Sequence, residues 1–80
     1  MILVKILGPG CSKCRSLEKK VRELIEKNNI PAEVLKVEDI NEMMSYGIMM
    51  TPGLVINEQV KSYGIIPKDE QILKWLKEGE

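Results

Sequence analysis

The strongest constraint in this sequence is a change of hydrophobic period at the segment Gly8-Pro9-Gly10. Before it, Ile2 to Leu7 is rich in β-branched residues and has few polar ones, as a strand covered on both faces would be. After it, from Cys11 onward, apolar residues recur every three or four positions, which is the spacing of an amphipathic helix. A strand that passes through a glycine turn into a helix predicts an α/β fold.

The next elements are short. Ala32 to Val37 alternates apolar and polar residues and predicts a second strand, which the helical crossover places parallel to the first. Asp39, with Glu42 three residues later, resembles a capping box for a short helix that ends near Gly47. The first half of the chain therefore has the order β-α-β-α.

The second half predicts a hairpin and a helix. Leu54 to Ile56 and Gln59 to Tyr63 form two strand-like runs, and Asn57-Glu58 between them is turn-forming. Pro67 is expected to open a last helix, whose Trp75 would be the large anchor of a core that has no Phe. The complete order is β-α-β-α-β-β-α.

Chain length and net charge limit the functions that this sequence can have. A chain of 80 residues has room for a single domain, residues 1–80. Its 12 basic and 12 acidic residues balance, which argues against nucleic acid or an anionic membrane as the main partner. The apolar stretch Met1 to Leu7 is too short for a signal peptide and far below the roughly 20 residues of a membrane span. We expect a soluble, cytoplasmic protein.

The informative motif is the pair Cys11 and Cys14 at the predicted helix start. A cysteine at a helix N-terminus faces unpaired backbone N–H groups and the positive end of the helix dipole, which both favour the thiolate. Lys13 and Arg15 add positive charge nearby. Cys11, at the exposed cap, is therefore predicted to attack a disulfide, and Cys14, one turn inside on the apolar stripe, to resolve the mixed disulfide.

Other roles of this cysteine pair remain open. Two cysteines can simply fill a core, because Cys is among the most buried residue types. Two soft ligands also suit Cu(I) or half of a Zn(II) site, as in metal chaperones that carry CxxC after their first strand. A third alternative is a redox-regulated adaptor that binds its partner only when oxidised.

A second constellation, Thr51-Pro52, precedes the third predicted strand. Together with the upstream CxxC it resembles the thioredoxin superfamily. In length, and in Gly-x-Gly-Cys-x-x-Cys directly after the first strand, the chain is most similar to the small archaeal and bacterial redox-active disulfide proteins. The resemblance implies a thioredoxin-like fold, a four-stranded mixed sheet flanked by three helices. It also implies that Pro52 is cis and leaves the strand edge at Thr51 free to pair with substrate next to Cys11.

The same resemblance implies thiol-disulfide oxidoreductase activity on protein disulfides. Gly10, Met50, Thr51 and Pro52 are predicted to contact substrate, with Lys13 tuning the thiol pKa. Electrons would come from a reductase or a small thiol. No prosthetic group is implied, and a monomer is expected.

The chain departs from the thioredoxin pattern at several positions. Gly10 stands where thioredoxins usually have Trp, and Ser12-Lys13 replaces their Gly-Pro, so a different redox potential is expected. Lys5 takes the place of a buried Asp. Its ammonium would either favour a Cys14 thiolate or extend out of the sheet face. Only Tyr63-Gly64 occupies the region of the glutaredoxin glutathione segment, which argues against a glutathione site.

Overall fold

A computed structural model describes residues 1–79 and contains four strands and three helices. The strands are β1 (Ile2–Leu7), β2 (Ala32–Val37), β3 (Gly53–Ile56) and β4 (Gln59–Tyr63). The helices are α1 (Ser12–Lys27), α2 (Ile40–Ser45) and α3 (Asp69–Glu78). Within the described part of the chain, the helices are all too short or too polar to cross a membrane.

The strands form one mixed sheet in the order β2-β1-β3-β4. Strand β1 runs parallel to β2, as a helical crossover requires, and antiparallel to β3, which pairs with β4 in a hairpin. The predicted element order and the thioredoxin-like α/β fold are thereby confirmed. Because β1 is central, its carboxyl end at Leu7 lies next to the start of β3, and this edge brings the two sequence motifs together.

Alternation along β1 divides the core between the two faces of the sheet. One face packs against α1 and α3, and its buried cluster includes Val4, Leu17 and Ile72. The other face packs under α2, where the buried residues of a smaller cluster are Leu7, Val37, Met43, Ile48 and Val55. The segment after β2 therefore packs against the sheet through this smaller cluster.

Two details of α3 differ from the sequence prediction. The helix begins at Asp69 rather than at Pro67, because Lys68 keeps an extended conformation and two acidic residues occupy the first turn, where they favour the helix dipole. Trp75 is half-buried at the margin of the core. The fully buried positions of this helix are Ile72 and Leu76, which lie one turn apart on the same stripe.

Candidate active site

The backbone places Cys11 at the N-cap of α1. Its φ of −68° and ψ of 168° are extended, and its sulfur accepts a hydrogen bond from the Cys14 backbone N–H at 3.3 Å. The Cys11 carbonyl accepts from Arg15 N–H at 3.0 Å, which closes the first helical turn. Cys11 is half-exposed and Cys14 is 4% exposed, so the two thiols have different access to a substrate.

The environment shifts the two thiol pKa values in opposite directions. The pKa of Cys11 is lowered by a hydrogen bond from the Cys14 side chain and by the backbone N–H of Cys14, with a smaller contribution from the backbone N–H of Lys13. The pKa of Cys14 is raised by burial and then by its hydrogen bond with Cys11. The exposed sulfur is thus favoured as a thiolate and the buried sulfur as a thiol.

Lys13 acts on Cys11 through its backbone N–H, whereas the sequence predicts an effect of its ammonium. The Lys13 side chain is exposed. The Arg15 guanidinium donates from Nε to the Gly10 carbonyl at 3.0 Å and so lies over the turn that precedes Cys11. Gly10 adopts a φ of +83°, a left-handed conformation that glycine tolerates without strain.

The proline segment meets the cysteine motif across Gly8. A Cβ atom placed on Gly8 would collide with Cys14 Sγ and lie 3.6 Å from Thr51 Cβ. The Thr51-Pro52 peptide bond is cis, as the resemblance implies, with Pro52 buried and Thr51 exposed. The absence of a side chain at Gly8 allows the two motifs to approach this closely. The sequence predicts only a turn at Gly8, because this contact joins residues far apart in the chain.

An apolar groove of about 370 Å³ lies beside Thr51. Its lining residues are Pro9, Ile40, Met43, Met44, Ile48, Met49 and Thr51. Met49 is 96% exposed. Met50 does not line the groove; a Cβ placed on Gly64 would lie 3.1 Å from Met50 Cε, so this side chain covers Gly64. Met50 is the methionine that the sequence analysis assigns to substrate contact, whereas Ile40 and Ile48 join the groove through the path of α2 and the segment after it.

Lys5 does not reach toward the cysteines. Its Nζ lies 2.6 Å from the Tyr46 hydroxyl and 2.9 Å from Glu58 Oε1. Of the two orientations considered from the sequence, the structure has the one in which the ammonium extends out of the sheet face. The hydrogen bonds with Tyr46 and Glu58 raise the pKa of Lys5 above its ordinary range.

Over residues 1–79, no group of three or more His, Cys, Asp or Glu side chains is arranged to hold a metal ion.

A CxxC at a helix N-terminus, with a cis-proline segment packed beside it on a β2-β1-β3-β4 sheet, defines a thiol-disulfide oxidoreductase of the thioredoxin fold. The family model described as "Thioredoxin domain" matches residues 2–77. The chain belongs to the thioredoxin family.

Relatives with the name thioredoxin resemble the chain over most of its length. It is 35% identical to the thioredoxin of Methanocaldococcus jannaschii, with 96% of this chain and 88% of that protein covered. It is 33% identical to the thioredoxin of Methanothermobacter thermautotrophicus, with coverages of 95% and 99%. The crystal structure of the germline-specific thioredoxin Deadhead from Drosophila melanogaster superposes with a TM-score of 0.67. It covers 96% of this chain and 79% of that one at 18% identity, and so supports the fold.

Proposed function

We propose that Cys11 is the attacking residue and Cys14 the resolving residue in the reduction of protein disulfides. The Cys11 thiolate attacks one substrate sulfur, a mixed disulfide forms, and the other substrate sulfur leaves as a thiolate that takes up a proton. Cys14 then loses its proton and attacks Cys11 Sγ. The Cys11–Cys14 disulfide forms, the second substrate thiol is released, and two electrons have passed to the substrate.

The observation that carries this assignment is the different placement of the two sulfurs: Cys11 is the accessible N-cap of α1 and accepts a backbone N–H, whereas Cys14 is 4% exposed. An attacking sulfur must be ionised and accessible, and Cys11 has a lowered pKa and is half-exposed. A resolving sulfur must stay protected until the mixed disulfide forms, and Cys14 has a raised pKa and lies buried one turn away. Exchanging the two roles would place the nucleophile where a protein substrate has no access.

We assign substrate contacts to the residues around this pair. Thr51, exposed in the loop just before β3, offers its backbone to an extended substrate segment, and the cis bond to Pro52 fixes its position beside the sulfurs. Gly10 lies directly before Cys11 and places no side chain on the approach to it, and Met50 supplies an adaptable apolar surface that is 59% exposed. Lys13 favours the thiolate through its backbone N–H, and its exposed ammonium adds positive charge at the approach.

We also propose a compartment, a substrate class and an electron donor for this reaction. Residues 1–80 act as one domain and as a monomer in the cytoplasm, on disulfide-containing proteins. A reductase or a small thiol returns the Cys11–Cys14 disulfide to the dithiol. The cysteine pair carries both electrons itself, so the cycle uses no prosthetic group.

The direct test is the reduction of insulin disulfides with dithiothreitol as the electron source. Catalytic amounts of the protein are expected to accelerate the reaction about tenfold over dithiothreitol alone. Cu(I) and Zn(II) titrations run on the same preparation. Tight stoichiometric metal binding without any acceleration would reject the proposal in favour of a metal chaperone. Reversible formation of the disulfide without acceleration would favour a redox-regulated adaptor.

A further inference from the structure

Three polar side chains interact at the C-terminal end of α2. We call them the Lys5 network: Lys5, Tyr46 and Glu58. Lys5 donates to the Tyr46 hydroxyl at 2.6 Å and pairs with Glu58 Oε1 at 2.9 Å. The Tyr46 hydroxyl in turn donates to Glu58 Oε2 at 3.2 Å. The Lys5 ammonium also lies 5.3 Å from the centre of the Tyr46 ring, within the range of a cation–π contact.

The network joins three separate parts of the fold. Lys5 belongs to central strand β1, Tyr46 is the C-cap of α2, and Glu58 lies in the turn between β3 and β4. The Lys5 side chain is 16% exposed, so this contact is sheltered from solvent at one end. The same hydrogen bonds lower the pKa of Glu58, with the bond from Lys5 as the largest cause.

Tyr46 connects this network to the apolar groove. Its ring packs against the cluster beneath α2, which contains Met43 and Ile48. Met43 and Ile48 also line the groove beside Thr51. Tyr46, which the Lys5 network fixes in place, therefore packs against the residues that shape the groove.

The backbone at Glu58 gives a second, independent indication. Asn57 and Glu58 have φ values of 51° and 66°, as in a tight hairpin turn whose second position favours glycine. Glutamate is strained in this left-handed conformation. A strained residue that supplies both acceptor oxygens of a network points to a role for its side chain beyond closing the turn.

We propose that the Lys5 network is a positioning device. It holds the segment from α2 to Thr51, residues 40–51, in the conformation that receives a protein substrate, with Glu58 as its key positioning residue. This inference rests on the proposed function, since it concerns how that same site binds its substrate. It predicts that losing the network weakens binding of proteins while leaving the sulfur chemistry intact.

The test variant is Glu58→Gly, which relieves the backbone strain and deletes the carboxylate together. In single-turnover reduction of insulin, the half-saturating insulin concentration is expected to rise about threefold to tenfold. The plateau rate and the rate with a small disulfide such as hydroxyethyl disulfide should stay within about twofold, because neither depends on the groove. Hydrogen exchange at the Met43 and Tyr46 amides should accelerate about tenfold, with α1 unchanged.

Three further variants separate positioning from general destabilisation. Tyr46→Phe removes only the hydroxyl and should show a smaller rise in half-saturating concentration. Glu58→Asp keeps a carboxylate and should recover part of the loss. Glu70→Gln removes an exposed carboxylate in the first turn of α3, far from the network, and should leave the half-saturating insulin concentration and the exchange at α2 unchanged.

Two results would overturn the inference: an unchanged half-saturating concentration in both Glu58→Gly and Tyr46→Phe, or unchanged exchange at α2 in both. If Glu58→Gly does not fold, Tyr46→Phe decides the matter. Failure of the proposed function would appear differently, because the wild-type protein would then not reduce insulin. Hydrogen exchange would still test, in that case, whether the Lys5 network holds α2 in place.

Discussion

Cys14→Ser is expected to stop turnover at the mixed disulfide, whereas Cys11→Ser should prevent it from forming. A serine hydroxyl at position 14 does not displace a thiolate from a disulfide, so the substrate chain stays attached to Cys11 Sγ. Without the Cys11 sulfur, the remaining thiol is buried, and this burial still raises its pKa. The protein-dependent part of insulin reduction should fall by at least about a thousandfold in either variant, which leaves the rate of dithiothreitol alone, since removing one member of a catalytic unit removes most of its effect.

Mass spectrometry under non-reducing conditions distinguishes the two variants. Cys14→Ser should yield a species in which one insulin chain is joined through Cys11, and dithiothreitol should release it. Cys11→Ser should yield none. A stable adduct on Cys14 of the Cys11→Ser protein, formed as fast as the one on Cys11, would show that the attacking and resolving roles are assigned the wrong way round.

Gly8→Ala is expected to damage the site without touching a reacting atom. The added methyl group would collide with Cys14 Sγ, which the surrounding core holds in place, and would contact Thr51 Cβ. Overpacking of this kind costs about 1–3 kcal/mol of stability. Because the two sulfurs must meet in a fixed geometry, we expect the rate with a small disulfide to fall about 10-fold to 100-fold.

Gly47→Ala is the matched control for this effect. Gly47 has a φ of +77° and open space around its Cβ position, so alanine there strains the backbone without approaching the sulfurs. It should lower the free energy of unfolding by about 1 kcal/mol while the rate with a small disulfide stays the same. Equal rates in Gly8→Ala and the wild-type protein would show that the close approach at Gly8 has no catalytic role.

Much of the architecture follows from local sequence patterns. The period change at Gly8-Pro9-Gly10 places β1 and α1, and the crossover rule makes β2 parallel. The N-cap position of Cys11 is equally local, since a helix that starts after a glycine turn offers its free N–H groups there. Position within an element therefore predicted which sulfur is exposed and which is buried.

Contacts between distant parts of the chain were harder to predict. Lys5 has Tyr46 and Glu58 as partners, and neither neighbours it in sequence. Gly8 lies against Cys14 and Thr51 only because β1 and β3 pair side by side. The residue in the turn offers the one sequence signal for the Lys5 network, because Asn-Gly would be the usual choice where Asn57-Glu58 stands.

The most direct test of this account is a titration of the Cys11 thiol in Cys14→Ser, followed by ultraviolet absorbance of the thiolate and by alkylation rate. The serine hydroxyl retains a donor to Cys11, and the backbone N–H groups at the helix start remain. We predict a midpoint below the ordinary value for a cysteine, and faster alkylation at neutral pH than in the same protein unfolded in denaturant. A midpoint at or above the ordinary value, with no faster alkylation, would contradict the assignment of Cys11 as the nucleophile.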